Sequence, residues 1–348
     1  MLAYVVRRVF VGVVMLLVMS LVTFVLFFAS PVDPARFSAG KNPSEELLSQ
    51  VRKSLGYPEK NQGPLKDYLI NPAKTWGDFV KGVAVGRDYP DDPELRRAHP
   101  EQVVHCAAPC FGYSKINNKT VNEEISKALP VTVSLSLAAV IFWIIGGLGI
   151  GIIAAIRKGT WLDRGIVAAS LLVYAFPVFF TGTFLLRYVS IKWGLWPVPA
   201  FVPFTENPVN WAINLVLPGL TLAGLVMAAY VRVTRSFVLE SLSEDYVRTA
   251  RAKGLKTTPV IFKHALRAAL TPLVTMFGLD LATMLVGAII TERVFNYQGL
   301  GYISLLAAQT FDLPTLIGMV VFAGSVFILA NLIVDILYSV IDPRVRVS

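Results

Sequence analysis

The chain has 348 residues, of which 55% are hydrophobic and only 16% charged, and its mean hydropathy is +0.60. That composition excludes an ordinary water-soluble domain. The formal net charge of +9 then reads as charge bias among membrane loops rather than as a nucleic-acid footprint, and no nucleic-acid partner is expected.

Taken in chain order, the first stretch without Asp, Glu, Lys or Arg runs from Val9 to Ala29. Arg7-Arg8 ahead of it is the start a secretory or twin-arginine signal would have. Its 21 residues nevertheless exceed the about 7–15 of a signal-peptide core, and no A-x-A site follows, so a retained anchor helix is expected. Residues 30–127 are polar and rich in Pro and Gly. They hold short amphipathic stretches at Glu45 to Leu55 and Leu65 to Leu69, and turn signals at Asn71-Pro72, Tyr89-Pro90 and Asp92-Pro93. A folded extracytoplasmic subdomain is the expectation.

From there the chain is dominated by apolar segments. Ala128 to Ile156, Gly165 to Leu186 and Asn207 to Val231 carry no charge; Ala268 to Thr291 is broken only by Asp280, and Leu313 to Ile341 only by Asp335. Each can cross roughly 30 Å of hydrocarbon at about 1.5 Å per residue. With the first helix this predicts six spans in an all-helical membrane bundle. Gly146, Gly147, Gly149 and Gly151 form a small-residue face suited to close helix packing. Pro177 and Pro218 fall inside spans and predict kinks.

Basic residues orient the bundle. With the N-terminus inside, the short inner segments hold fifteen Lys/Arg and five Asp/Glu, whereas the outer connections after the third and fifth spans hold only Arg187, Lys192 and Arg293 as basic residues. Both termini are therefore expected in the cytoplasm. The 30–127 segment, with 14 basic and 13 acidic residues, is placed outside by parity. Its Cys106 and Cys110 are the only cysteines; an oxidising exterior favours a disulfide between them, with free thiols as the other reading. His99 and His105 lie nearby, but turns rich in Pro and His are common without a metal, and no metal ligand is assigned.

Several chemistries are absent. The only Gly-Lys pair, Gly40-Lys41, is followed by Asn42, so no phosphate-cradling loop is present. There is no H-E-x-x-H and no G-x-S-x-G. No enzymatic activity and no resident cofactor are expected of this chain. Asp280 sits mid-span, where an ionisable group is costly; it contacts a translocated amine or cation, or it is a neutralised or hydrogen-bonded group between helices. Asp335, near the inner end of the last span, reads as snorkelling or paired with Arg344.

Between the fourth and fifth spans the sequence reads SLSEDYVRTARAKGLKTTPVIFKHALRAALTP from Ser241. Ser241 and Glu244 have capping-box spacing, Glu244 stands four before Arg248, and Gly254 is placed to end a helix. A short basic helix from Ser243 to Lys253 is predicted, held below the membrane. Positive-inside bias or contact with anionic lipid explains the charge, but not a capped helix stopped by Gly.

Here the residues carry a family resemblance. The run Asp245 to Leu255, DYVRTARAKGL, with His264, Arg267 and Pro272, resembles the EAA loop of permease subunits of bacterial dipeptide, oligopeptide and nickel ABC importers. Pro31, Asp33 and Pro34, then Leu129, Pro130 and Thr132, Leu162-Asp163-Arg164, Glu292 to Gly301 and Asn331 to Arg344 agree in order. Arg248-Thr249-Ala250 stands where the general signature has Glu-Ala-Ala, Ala268 replaces a frequent Asn, and the stretch from Arg87 to Ala108 is an insertion relative to typical members.

The resemblance implies a type I importer permease fold in the bacterial inner membrane. It would comprise an anchor helix (1–29), an extracytoplasmic segment (30–127), and a five-helix core (128–348) with its coupling loop at about 233–270. Implied partners are a second permease, two ATPase subunits that bind ATP and Mg, an extracytoplasmic binding protein, and membrane lipid. The coupling helix would contact an ATPase, with Tyr246, Ala250 and Gly254 assigned to packing and Arg248, Arg251 and Lys253 to polar contacts. Peptides are the implied cargo, with nickel, a metal chelate or haem as alternatives. An ion-coupled secondary transporter using Asp280 is the reading from another class.

Overall fold

The computed structural model describes residues 2–29, 35–40, 42–55, 70–90, 93–98, 100–266 and 288–341, together with 269, 270, 273, 276, 277, 280, 281 and 284. These residues are mostly helical, and the chain divides into two compact units: Met1–Leu129 with Ile303–Leu332, and Pro130–Tyr302 with Ile333–Ser348.

In the first unit, α1 (Leu2–Ala29) packs its small residues against α11 (Leu313–Ile341). A Cβ on Gly12 would meet Ile328 at 2.7 Å, and one on Gly324 would overlap Met19. Phe24, Leu313, Ile317 and Val321 form the buried centre, flanked by Trp76, Phe79 and Phe111. The amphipathic stretch Glu45–Leu55 is helix α2, opened by Ser44, whose hydroxyl accepts the Leu47 N–H at 3.2 Å. Asn71-Pro72 opens helix α3 (Asn71–Val85) instead of making a turn, because Pro is tolerated where the first N–H groups have no helical partner. The Trp76 indole of α3 donates to the Ser20 hydroxyl of α1 at 3.0 Å. The predicted stretch 65–69 lies outside the described residues.

Two small antiparallel ribbons follow. β1 (Arg87–Tyr89) pairs with β2 (Val104–Cys106), with Asp88 opposite His105, and β3 (Tyr113–Ser114) pairs with β4 (Lys119–Thr120). Buried polar groups tie the second ribbon to neighbouring helices. Ser114 donates to the Asp312 carboxylate, Thr315 donates to the same group at 2.8 Å, and the Asn117 amide donates to Glu124 at 2.8 Å.

Helix α4 (Val121–Trp143) begins seven residues before the charge-free stretch, because Thr120 caps it: its hydroxyl accepts the Glu123 N–H at 3.2 Å. Pro130 is therefore inside the helix rather than at its opening. A π-helical segment (Ile144–Leu148) joins α4 to α5 (Gly149–Ile156), giving one apolar rod from Val121 to Ile156.

The predicted span 165–186 is broken. Helix α6 (Trp161–Ala175) and helix α7 (Val178–Phe184), which continues as π-helix through Lys192, meet at 103°. The break falls at Phe176, held extended by the Pro177 ring. Pro218, in contrast, lies within an unbroken helix, α8 (Pro208–Ser243). Having no N–H, it frees the carbonyl of Asn214, and the Tyr297 hydroxyl donates to that carbonyl at 2.9 Å.

Four described helices are long and apolar enough to cross a membrane, and the bent pair raises this to as many as five. Half of the predicted span 268–291 lies outside the described residues.

The core of the second unit is built on α8. Trp143, buried completely, stacks on Phe277 at 4.9 Å and meets the Tyr230 ring edge-on at 4.7 Å. Three of the four small-face glycines press on α8: Gly146 on Met227, Gly147 on Tyr230 and Gly151 on Thr234, while Gly149 faces open space. A Cβ on Gly151 would stand 2.7 Å from that of Thr234 and 2.8 Å from the Val231 carbonyl. Gly→Ala in a helix ordinarily gains up to about 1 kcal/mol. At Gly149 that gain should appear, whereas Gly151→Ala should destabilise by about 1–3 kcal/mol as the backbone of α8 is pushed away. Unfolding in mixed micelles with increasing denaturing detergent measures the difference in sign.

Candidate functional site

The C-terminal end of α8 carries the site. α8 runs through Ser241 to Ser243, so Ser241 is helical and the capping box predicted with Glu244 does not form. Glu244 alone is extended, with φ −69° and ψ 149°, and helix α9 (Asp245–Ala252) starts directly after it. The expected helix from Ser243 is two residues shorter at its start because the preceding rod extends further than the charge-free stretch suggested.

Helix α9 has two faces. Val247 and Ala250 are buried among Leu242, Val260 and Ala265, which fixes the rotation of the helix against its own chain. Ala250 therefore packs inward. Tyr246, Arg248, Arg251, Lys253 and Gly254 are exposed. The Arg248 guanidinium lies 3.4 Å from Asp245, one turn back, rather than on Glu244. Asp245 in the first turn and Arg251 in the last both complement the helix dipole.

Gly254 ends the helix in the left-handed region, at φ +76°. The Gly254 N–H donates to the Arg251 carbonyl at 2.9 Å and the Leu255 N–H to that of Ala250 at 3.4 Å, the two bonds of a Schellman stop. Nothing stands within 4 Å of where a Gly254 Cβ would be. The glycine is required here by backbone conformation, not by crowding within the chain.

Other sequence candidates lie apart from α9. The Tyr230 hydroxyl of α8 donates to Asp280 at 2.8 Å, which satisfies one carboxylate oxygen between helices. Cys106 and Cys110 form a disulfide with Cα atoms 5.5 Å apart. His105 lies 2.6 Å from Asp88 across the β1–β2 ribbon, and His99 lies outside the described residues. Arg267, Pro272 and Arg344 also lie outside them, as do the side chains of His264 and Asp335.

Sequence reasoning passed over two buried carboxylates. Asp163, at the start of α6, accepts Arg235 Nε at 2.6 Å and Nη2 at 2.9 Å, with the Gly159 N–H adding 2.8 Å. The signal was available as Leu162-Asp163-Arg164 beside a basic helix, but pairing across 72 residues is invisible in one chain. Glu292, on helix α10 (Ile289–Phe295), is 0% exposed. It accepts the Thr132 hydroxyl at 2.6 Å and the Tyr302 N–H at 2.8 Å, while Thr132 accepts the Leu300 N–H at 2.8 Å. Burial pushes the Glu292 carboxyl above the usual carboxylate range, and the Thr132, Tyr302 and Gly301 donors pull the other way. Gly299 fits against Glu292 and Thr132 where no side chain could.

Residues 147–347 match the family described as binding-protein-dependent transport system inner membrane component, and residues 1–136 match its N-terminal membrane component. The chain belongs to this family. A probable peptide ABC transporter permease protein, y4tP of Sinorhizobium fredii, is 31% identical over 343 residues, covering 99% of both chains. The glutathione transport system permease protein GsiC is 32% identical over 346 residues and 99% of both chains, in Escherichia coli K12 and in Shigella flexneri serotype 5b alike.

As a permease component, the chain is a multi-pass membrane protein that works with a binding protein and an ATPase. The Glu292 network then fixes the segment that follows the fifth predicted span. Glu292→Ala would strand the Thr132 hydroxyl and two backbone N–H groups, each costing about 1–3 kcal/mol when buried. Hydrogen exchange at Gly301 and Tyr302 should accelerate about tenfold or more, with exchange in α9 unchanged.

Proposed function

We propose that the chain forms one half of the translocation pathway of a peptide importer, opposite a second homologous permease. Its six helices cross the bacterial inner membrane with both termini in the cytoplasm, and residues 30–127 with the loop at 292–301 receive the loaded binding protein outside. Two ATPase subunits bind ATP and Mg; this chain holds no cofactor. Peptide cargo is supported by the names of the relatives, which include peptide and glutathione permeases.

One observation carries the reading: an exposed basic helix, α9, is joined by a single extended residue to a 36-residue apolar helix and packed firmly on its own chain. Such a helix offers Tyr246, Arg248, Arg251 and Lys253 to a partner. The partner's movement then reaches the membrane without passing through a flexible linker. Peptide specificity rests largely with the binding protein that delivers the cargo.

Two substitutions test the coupling role. Tyr246→Ala with Arg251→Glu should release the ATPase subunits in a mild-detergent pull-down while the second permease still co-purifies. Gly254→Val forces a β-branched residue to φ +76°, at a cost of about 1–2 kcal/mol, and should cut peptide uptake more than tenfold at normal membrane levels. Asn, which tolerates that conformation, should retain most uptake. Uptake unchanged in Gly254→Val would remove the assignment.

A further inference from the structure

We infer that Asp163 and Arg235 are positioning residues for transport: their ion pair makes the inner turn between α5 and α6 travel with the coupling helix. The inference rests on the coupling role proposed for α9 and adds what α9 drags with it.

The geometry is specific. Arg235 lies eight residues before the end of α8, about 12 Å along the rod from Ser243. Its guanidinium grips both oxygens of Asp163 in a fork, at 2.6 and 2.9 Å. The Asp163 side chain is 4% exposed and that of Arg235 27%. Asp163 is also locked on its own side. Its carboxylate accepts the Gly159 N–H, and its backbone N–H donates to the Thr160 hydroxyl at 3.3 Å, capping α6. Residues 159–163 therefore form one rigid socket, and Arg235 is its plug.

One turn above, Gly151 rests on Val231 and Thr234, so α5 touches α8 without any side chain that could slide between them. A load applied at α9 thus meets two attachments along α8. The glycine contact resists compression but not separation, since it is only van der Waals contact. The fork resists both, and being charged it keeps its partner through a displacement that would open a neutral bond. Arg232, three residues before Arg235, stacks on Tyr174 at 4.6 Å and adds a weaker hold further along α6.

The two native cysteines are joined to each other, so introduced thiols can be labelled selectively. Lys158→Cys on the turn and Thr249→Cys on α9 are both exposed and outside the residues assigned to contact with the ATPase. Spin labels at these sites, in the complete transporter, should keep their separation within about 2 Å between nucleotide-free and ATP-trapped states. In Asp163→Asn the separation should become state-dependent, and uptake should fall at least tenfold while ATP hydrolysis continues. A separation that shifts with nucleotide while the pair is intact overturns the inference, and so does Asp163→Asn with unaltered separation and uptake within twofold. If Asp163→Asn does not accumulate, the measurement with the intact pair decides alone. Failure of the coupling role itself shows separately, as a Thr249→Cys label whose mobility does not change when the ATPase subunits are added.

Discussion

In hydrocarbon every backbone N–H and C=O must find its partner inside the protein, and this requirement governs where the chain can be interrupted. Long rods result: Val121 to Ile156 and Pro208 to Ser243 each run 36 residues without a break. Where a residue type defeats the ladder, another group compensates. The carbonyl freed by Pro218 is taken by the Tyr297 hydroxyl, and α8 continues as helix through the proline. At Pro177 the ladder gives way altogether, and the helix turns through 103°. Both prolines fall inside predicted spans, and a tyrosine 79 residues downstream of Pro218 takes up the carbonyl that this proline frees.

The same economy explains the buried carboxylates. Each is surrounded by donors from elements distant in sequence: Asp163 by Arg235 and the Gly159 amide, Glu292 by Thr132 and the Tyr302 amide. A buried anion without donors would be strongly unfavourable, so each carboxylate specifies which segments must come together and in what register. Glycine supplies the complementary device. Gly151 and Gly299 are positions where another chain segment or carboxylate occupies the space of a side chain, and Gly254 is one where the backbone conformation itself excludes most residues.

Much of this was legible in sequence. The apolar stretches, the broken charge pattern and the basic helix stopped at Gly254 follow from local rules, and the resemblance in Asp245 to Leu255 pointed to the family. Local rules failed at helix starts and in long-range pairing. Thr120 and Glu123 have the capping spacing that sets the true start of α4, yet the charge-free criterion drew attention to Ala128. Ser241 and Glu244 have the same spacing and do not cap, because α8 continues through Ser241. A capping pattern thus marks a helix start only where the preceding residues are not already helical. A single sequence does not reveal that when the preceding helix outruns its apolar stretch.

The division of labour on α9 follows from this overrun. Because α8 ends at Ser243 and not at the last apolar residue, α9 begins at Asp245, and that start point determines which residues face inward. Residues 247 and 250 turn toward Val260 and Ala265, leaving 246, 248, 251 and 253 outside. One residue later, the helix would be rotated by about 100°, and Arg248 and Arg251 would face the apolar seat instead of the exterior. The length of the membrane rod therefore determines the chemistry of the surface it presents, which is why a one-residue insertion before Glu244 would be more damaging than most substitutions within α9.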